Sequence, residues 1–125
     1  MIHLDTSFLI RALVRNSDEA RLLGAWIREA RALGMSVVAW TEFLCGPVDA
    51  AALQLAERIV PVRVAFADEQ ATLTAKLYNA SGRRRGSLID CMIAATALGA
   101  GAALATSNPH DFRRLEPEGL RLLVP

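Results

Sequence analysis

Apolar residues come in short blocks along this chain, and several blocks end on polar residues in the same way. Ile2-His3-Leu4 stops at Asp5-Thr6-Ser7, Ser36-Val37-Val38-Ala39-Trp40 stops at Thr41-Glu42, and the alanine-rich run to Leu104-Ala105 stops at Thr106-Ser107-Asn108. A short apolar run that gives way to hydroxyls and an acid predicts a buried strand feeding directly into a helix N-terminus. Between these blocks the spacing becomes helical. Phe8 to Val14 predicts a short helix, with Asn16-Ser17-Asp18 as the break before the next. Residues 19–33 put Leu22, Leu23, Trp26, Ile27 and Ala30 on one face and Arg21, Arg28, Glu29 and Arg31 mostly on the other. That is an amphipathic helix, with Gly34 as its C-cap.

The second strand, Ser36 to Ala39, leads into a helix that carries Glu42 and stops at Gly46-Pro47. Asp49 then caps a helix through Leu53, Leu55 and Ile59, and Pro61-Val62-Arg63-Val64 alternates as a short strand nearer the sheet edge. Ala67 to Asn79 predicts a further helix, followed by a glycine-flanked basic loop, Ser81-Gly82-Arg83-Arg84-Arg85-Gly86. Ser87 to Leu98 is apolar nearly all round, which places that helix in the middle of the core. Ala102 to Ala105 predicts the fourth strand, Asn108-Pro109 a short helical turn through Phe112, and Leu120 to Val124 a last strand. Strands alternating with helices predict one α/β domain over residues 1–125. It would have three layers, α/β/α, around a mainly parallel sheet of four to five strands.

Composition changes this picture in two respects. At 53% hydrophobic and a mean hydropathy of +0.28, the chain is apolar for a small soluble monomer, so some of its surface is expected to face a partner. The net charge of only +1 announces no nucleic-acid partner, but the basic residues are arginines except for Lys76, and arginine is the better side chain for bidentate phosphate contact. Cys45 and Cys91 fit no CxxC or metal-ligand spacing. With no signal peptide ahead of the first strand, reduced thiols in a cytoplasmic protein are expected. Residues 91–110 imitate a membrane span if His110 is neutral, but Gly99-Ala100-Gly101 interrupts the run and Ser107-Asn108-Pro109 ends it. A helix, a turn and a strand account for it better.

Ligands of open parallel sheets bind outside the C-terminal ends of the strands, where Asp5, Glu42, Asp90 and Asn108 are candidates to meet. Each has an ordinary use as well. Asp5 and Asn108 could be N-caps, Ser87-Leu88-Ile89-Asp90 fits a capping box, and Glu42 follows a capping Thr41. Capping requires no shared sheet edge, however, and an unpaired Asp90 among Leu88, Ile89, Cys91, Met92 and Ile93 would be costly. Carboxylates that approach one another raise each other's pKa, and a divalent ion removes that penalty. All-oxygen ligands with no histidine cluster point to Mg²⁺ or Mn²⁺, and the chemistry implied is phosphodiester hydrolysis by metal-activated water. Arg83, Arg84 and Arg85, just ahead of Asp90, could hold the backbone of a polyanionic substrate. His3 and His110 are weaker candidates; His110, near Asn108, could shuttle a proton, although an ordinary surface role is the expectation for it.

The chain resembles the PIN domain family, in particular VapC-type ribonuclease toxins of toxin-antitoxin pairs. The matching pieces span the whole length: Ile2-His3-Leu4-Asp5-Thr6-Ser7, Trp40-Thr41-Glu42-Phe43-Leu44-Cys45-Gly46, Asp90-Cys91-Met92-Ile93-Ala94-Ala95, and Ala105-Thr106-Ser107-Asn108 with Asp111-Phe112 following. The resemblance implies that Asp5, Glu42 and Asp90 hold Mg²⁺ or Mn²⁺, that Thr6 or Ser7 supports Asp5, and that Thr106 borders the site. Asn108 stands where members often carry an acid. Its amide can coordinate an ion or orient water but brings no charge, which leaves the number of ions open. Asp111 could substitute only if the turn after Pro109 folds it back, and a structural role is expected for it instead. The same resemblance implies a cytoplasmic homodimer, an RNA substrate and a small VapB-like antitoxin that covers the site.

Two other classes compete. A PIN-like scaffold that binds RNA or protein without catalysis has Asn108 as its support. A phosphoacceptor receiver or aspartyl-phosphate phosphatase also begins with an Asp at a strand tip, but Ser7 is no second acid and Lys76 lies in the middle of a predicted helix.

Overall fold

The first apolar run becomes the centre of the sheet. A computed structural model describes residues 1–125, with five short strands, β1 (Ile2–Leu4), β2 (Leu33–Ser36), β3 (Arg63–Val64), β4 (Ala103–Ala105) and β5 (Leu122–Leu123). They lie in the order β3-β2-β1-β4-β5, and every neighbouring pair is parallel. β1 and β4 are buried at every position, so both faces of the sheet are covered, as expected of an α/β layer structure. The helices are α1 (Thr6–Ala12), α2 (Asp18–Arg28), α3 (Val37–Cys45), α4 (Ala50–Ile59), α5 (Asp68–Ala80) and α6 (Leu88–Gly99). Two 3-10 turns, Pro109–Asp111 and Arg113–Glu118, lie between β4 and β5. The buried cluster includes Ile2, Leu4, Phe8, Met35, Phe43, Ile93, Leu104, Phe112 and Leu115, and Phe8 stacks on Trp26 with ring centroids 5.4 Å apart. α6, 12 residues long, is followed by a turn and then β4, and no helix is long and apolar enough to cross a membrane.

Two boundaries differ from the sequence expectation. The helix expected over residues 19–33 ends at Arg28, because Ala30 turns left-handed at φ 55° and the amides of Ala30 and Arg31 bond back to Ile27 and Trp26. This is a Schellman termination, with alanine at the position glycine usually takes. Gly34 is therefore no cap but a strand residue paired with His3, where an added Cβ would sit 3.1 Å from the imidazole. Ile27, expected on the buried face, is exposed.

The second strand ends three residues earlier than expected. The Ser36 hydroxyl accepts the Ala39 amide at 2.9 Å and starts α3 there, so Val37 and Val38 are helical despite their β-branched side chains. Ala39, Trp40 and Phe43 bury one face of that helix, a helical period that prevails over local strand preference. Thr41 caps nothing; its hydroxyl donates to the Val37 carbonyl. Ser17 and Asp49 do cap α2 and α4, accepting from Ala20 and Ala52.

Candidate active site

The sheet order changes direction at β1: β2 and β3 lie to one side, β4 and β5 to the other. At such a switch point the connections diverge and leave a crevice beyond the strand ends. Asp5 follows β1 directly, and its amide donates to the Ala105 carbonyl of β4 at 2.9 Å, which brings Thr106 alongside. Asp5 starts α1 but makes no side-chain cap there. Its carboxylate turns to hydroxyls instead. Ser7 Oγ and Thr106 Oγ1 both donate to Asp5 Oδ2, at 2.7 and 2.9 Å. Each hydroxyl has one proton, so the 3.3 Å approach between the two hydroxyls carries no hydrogen bond of its own. Both hydroxyls also accept, Ser7 from the Ser107 amide and Thr106 from the Asn108 amide, which ties the end of β4 to the start of α1.

Glu42 reaches the same crevice from the second turn of α3, where Thr6 Oγ1 bridges it to the scaffold by contacts of 3.0 Å to Glu42 Oε1 and 2.9 Å to the Ala39 carbonyl. Thr6 thus supports Glu42, while Ser7 and Thr106 support Asp5. Asp90 enters from the first turn of α6. The capping box expected there does not form: the Ser87 hydroxyl donates to the Arg84 carbonyl, and α6 has no side-chain cap. Asn108 makes no cap hydrogen bond either.

Asp5, Thr6, Ser7, Glu42, Asp90, Asn108 and Asp111 line one cavity of about 260 Å³. Asp111, for which the sequence suggests a structural role, also lines this cavity. The 3-10 turn after Pro109 does fold it back, and its charge raises the pKa of both Asp5 and Asp90. His110 is exposed and lies outside the cavity, and His3 is buried in the sheet with both ring nitrogens unpartnered and its pKa lowered by burial and by the N-terminal charge.

Of the basic loop, Arg84 and Arg85 line an adjoining cavity with Asp90, Asp111 and Arg114. Arg83 turns away, donating to Asn79 at 2.6 Å and lying 5.6 Å over the Tyr78 ring. Arg114 joins them from outside the basic loop. The signal available for it was spacing: a 3-10 helix has three residues per turn, so Asn108, Asp111 and Arg114 fall along one side of the two turns.

The electrostatics describe a site short of positive charge. Burial raises the Asp5 pKa, Asp111 adds to that, and the Ser7, Thr106 and Thr6 hydrogen bonds oppose it. Burial and the Asp5 charge raise Glu42 against the Thr6 hydrogen bond. Asp90 is pushed up to about 6, first by burial, then by Asp111, Asp5 and Glu42, with Arg114 opposing. All donors are oxygens, the set Mg²⁺ and Mn²⁺ prefer, and a cation would remove the mutual repulsion. No three acids yet converge tightly enough to enclose an ion as placed. The donor types and charges therefore fit a divalent cation, with the carboxylates set around an open cavity rather than closed on a point.

Comparison with known proteins supplies the family. No curated protein matches the chain in sequence. Among the solved structures similar to it are VapBC2 from Rickettsia felis bound to a DNA fragment from its promoter, DNA-bound VapBC from Salmonella typhimurium, and VapBC-5 of the VapBC family of toxin-antitoxin systems from Mycobacterium tuberculosis. The first has TM-score 0.78 at 19% identity, covering 100% of this chain and 99% of that one. The second has TM-score 0.74 at 20% identity, covering 98% and 96%. The third has TM-score 0.61 at 22% identity, covering 98% and 94%. At these identities the likeness is one of fold. Residues 2–116 match the PIN domain, and with the parallel sheet and the acids at its switch point already in place, this chain belongs to the PIN domain family.

Proposed function

We propose that the chain is the toxin of a toxin-antitoxin pair, an endoribonuclease that hydrolyses RNA phosphodiester bonds with Mg²⁺ or Mn²⁺. PIN domains are generally divalent-metal-dependent nucleases, which supplies the reaction class. The observation that carries the reading is the gathering of Asp5, Glu42 and Asp90 around one cavity at the switch point, all with raised pKa values and with Arg114 opposing the rise only at Asp90. Asp5, Glu42 and Asp90 would hold the ion. When bound it supplies an activated water and shields charge on the phosphoryl oxygens. The chain's own residues do the rest. Ser7 and Thr106 fix Asp5 through one oxygen and so aim the other, Thr6 fixes Glu42, and the Asn108 amide and the Asp111 carboxylate are available to orient water or a ribose hydroxyl.

The antitoxin belongs to the same proposal. The fold is shared with chains from VapBC complexes, and an apolar cavity of about 200 Å³, lined by Ile10, Leu13, Phe43, Pro47 and Val48, has room for side chains of a VapB-like partner. Ile10 is itself exposed, as are Val14, just past the end of α1, and Leu44 of α3. A homodimer would cover more of the exposed apolar surface.

One observation favours a second reading. The acids do not converge, and Asn108 brings no charge, which suits a scaffold that binds RNA without cutting it. Purified protein incubated with a cellular RNA pool, with Mn²⁺ or Mg²⁺ against EDTA and beside Asp90→Asn, separates the two. Metal-dependent cutting lost in the variant supports the nuclease. A folded, antitoxin-free protein that cuts nothing leaves the scaffold.

A further inference from the structure

The adjoining cavity is chemically unlike the acidic one. It holds about 80 Å³, room for several waters or one tetrahedral oxyanion but not a base, and no apolar side chain lines it. Arg84, Arg85 and Arg114 face it together with Asp90 and Asp111. Although acids and arginines share this cavity, none of the three arginines forms an ion pair. The chain's ion pairs are Arg11–Glu19, Arg21–Asp18 and Arg31–Glu29, all elsewhere. Arg114 Nε is buried with no acceptor at all. A buried guanidinium donor left unpaired is uncommon in a folded protein and marks the place where an acceptor is missing.

The loop is built to bring its arginines here. Gly82, Arg83 and Gly86 all have positive φ, and the Arg84 carbonyl is pinned by both the amide and the hydroxyl of Ser87, at 3.1 and 2.6 Å. Because Ser87 is used in this way, the first turn of α6 has no side-chain cap, and the positive end of a 12-residue helix borders the cavity. Three arginines without carboxylate partners, one orphaned donor and an uncapped helix start all ask for an anion.

We propose that Arg84, Arg85 and Arg114 form a phosphate-binding pocket that seats the RNA backbone phosphate next to the one presented to Asp5, Glu42 and Asp90. This rests on the RNA-cleaving reading above. Asp90 and Asp111 are the shared wall, so a strand with one phosphate among the arginines lays the next across the acidic cavity. The pocket supplies register along the strand, and base identity plays no part in it.

The test is binding of a short fluorescein-labelled single-stranded RNA, followed by anisotropy in EDTA over a range of salt. Wild type is compared with Arg84→Ala, Arg85→Ala, Arg114→Gln and Arg83→Ala, the last removing the same charge from the same loop but from outside the pocket. The first three should each weaken binding and flatten the salt dependence, by roughly 0.7 in log–log slope per lost phosphate contact on a single strand. Arg83→Ala should match wild type. With metal added, the pocket variants should raise KM and spare kcat. Equal weakening by all four variants, or no effect of Arg84→Ala and Arg85→Ala, overturns the pocket, and those two lie on an exposed loop where folding is not at risk. Pocket-specific binding without any cleavage retains the pocket and overturns the nuclease, whereas cleavage with indifferent arginines overturns the pocket alone.

Discussion

The two walls of the acidic cavity are held by different forces. On the side of β1 and α3, Asp5 and Glu42 are positioned by hydroxyls, Asp5 by Ser7 and Thr106 and Glu42 by Thr6, and Asp5 is only 5% exposed. On the side of α6 and the 3-10 turns, Asp90 and Asp111 accept no side-chain hydrogen bond. Burial first, and then the charges of Asp111, Asp5 and Glu42, raise the pKa of Asp90, and Arg114 lowers it. The first wall is a fixed template, set before any ion arrives. We take the second as the adjustable one, because no side-chain hydrogen bond holds its carboxylates, and under the proposed function a cation would draw them in.

The largest expected effect breaks both walls equally. Asp5→Asn and Asp90→Asn should each reduce metal-dependent RNA cleavage to the EDTA background, read as initial rates, while circular dichroism shows the fold intact. Next comes the fixed wall by itself. Thr106→Val removes a buried donor to Asp5 and should lower Mn²⁺ affinity or activity by about 10–100-fold, the usual cost of losing a ligand's supporting hydrogen bond. Thr6→Val should cost less, roughly tenfold at most, because Glu42 is more exposed and depends on a single hydroxyl.

Acidity separates the walls by sign. Thr106→Val should raise the Asp5 pKa further, whereas Asp111→Asn, which removes the largest charge acting on Asp90, should lower that of Asp90. The pH midpoint of Mn²⁺ binding should therefore move up in one variant and down in the other. In the metal-free protein, Asp90 holds its proton to about pH 6, against 3.8 unperturbed. Between those values the folded state binds more protons than the unfolded one, so stability falls as pH rises through that window. Urea denaturation across it should show the decline in wild type and a flatter profile in Asp90→Asn.

The sequence exposed the fixed wall more fully than the adjustable one, and for a physical reason. A strand tip is local: Ile2 to Leu4 is a short apolar run, so Asp5 is marked by where that run stops, and Thr106 is marked in the same way after Leu104-Ala105. Glu42 was placed on its helix even though the strand before it was set three residues late, since the Ser36 cap competes with two valines in a way no local pattern resolves. Gly34 looked like a helix end because its strand role depends on His3 across the sheet. Asp111 and Arg114 sit on 3-10 turns whose direction is set by packing of Phe112 and Leu115 into the core, so their three-residue spacing marks a shared side without saying where that side faces. Arg83 through Arg85 read as one basic run, and only the positive φ at Arg83 and the Tyr78 ring separate the first from the other two.

The most direct test of the account is a calorimetric titration of Mn²⁺ into metal-free protein at neutral pH, beside Asp5→Asn and Asp90→Asn. The account predicts saturable binding in the wild type that is lost in both variants, one from each wall. Binding that survives both substitutions, or a folded wild type that takes up no ion, would contradict it.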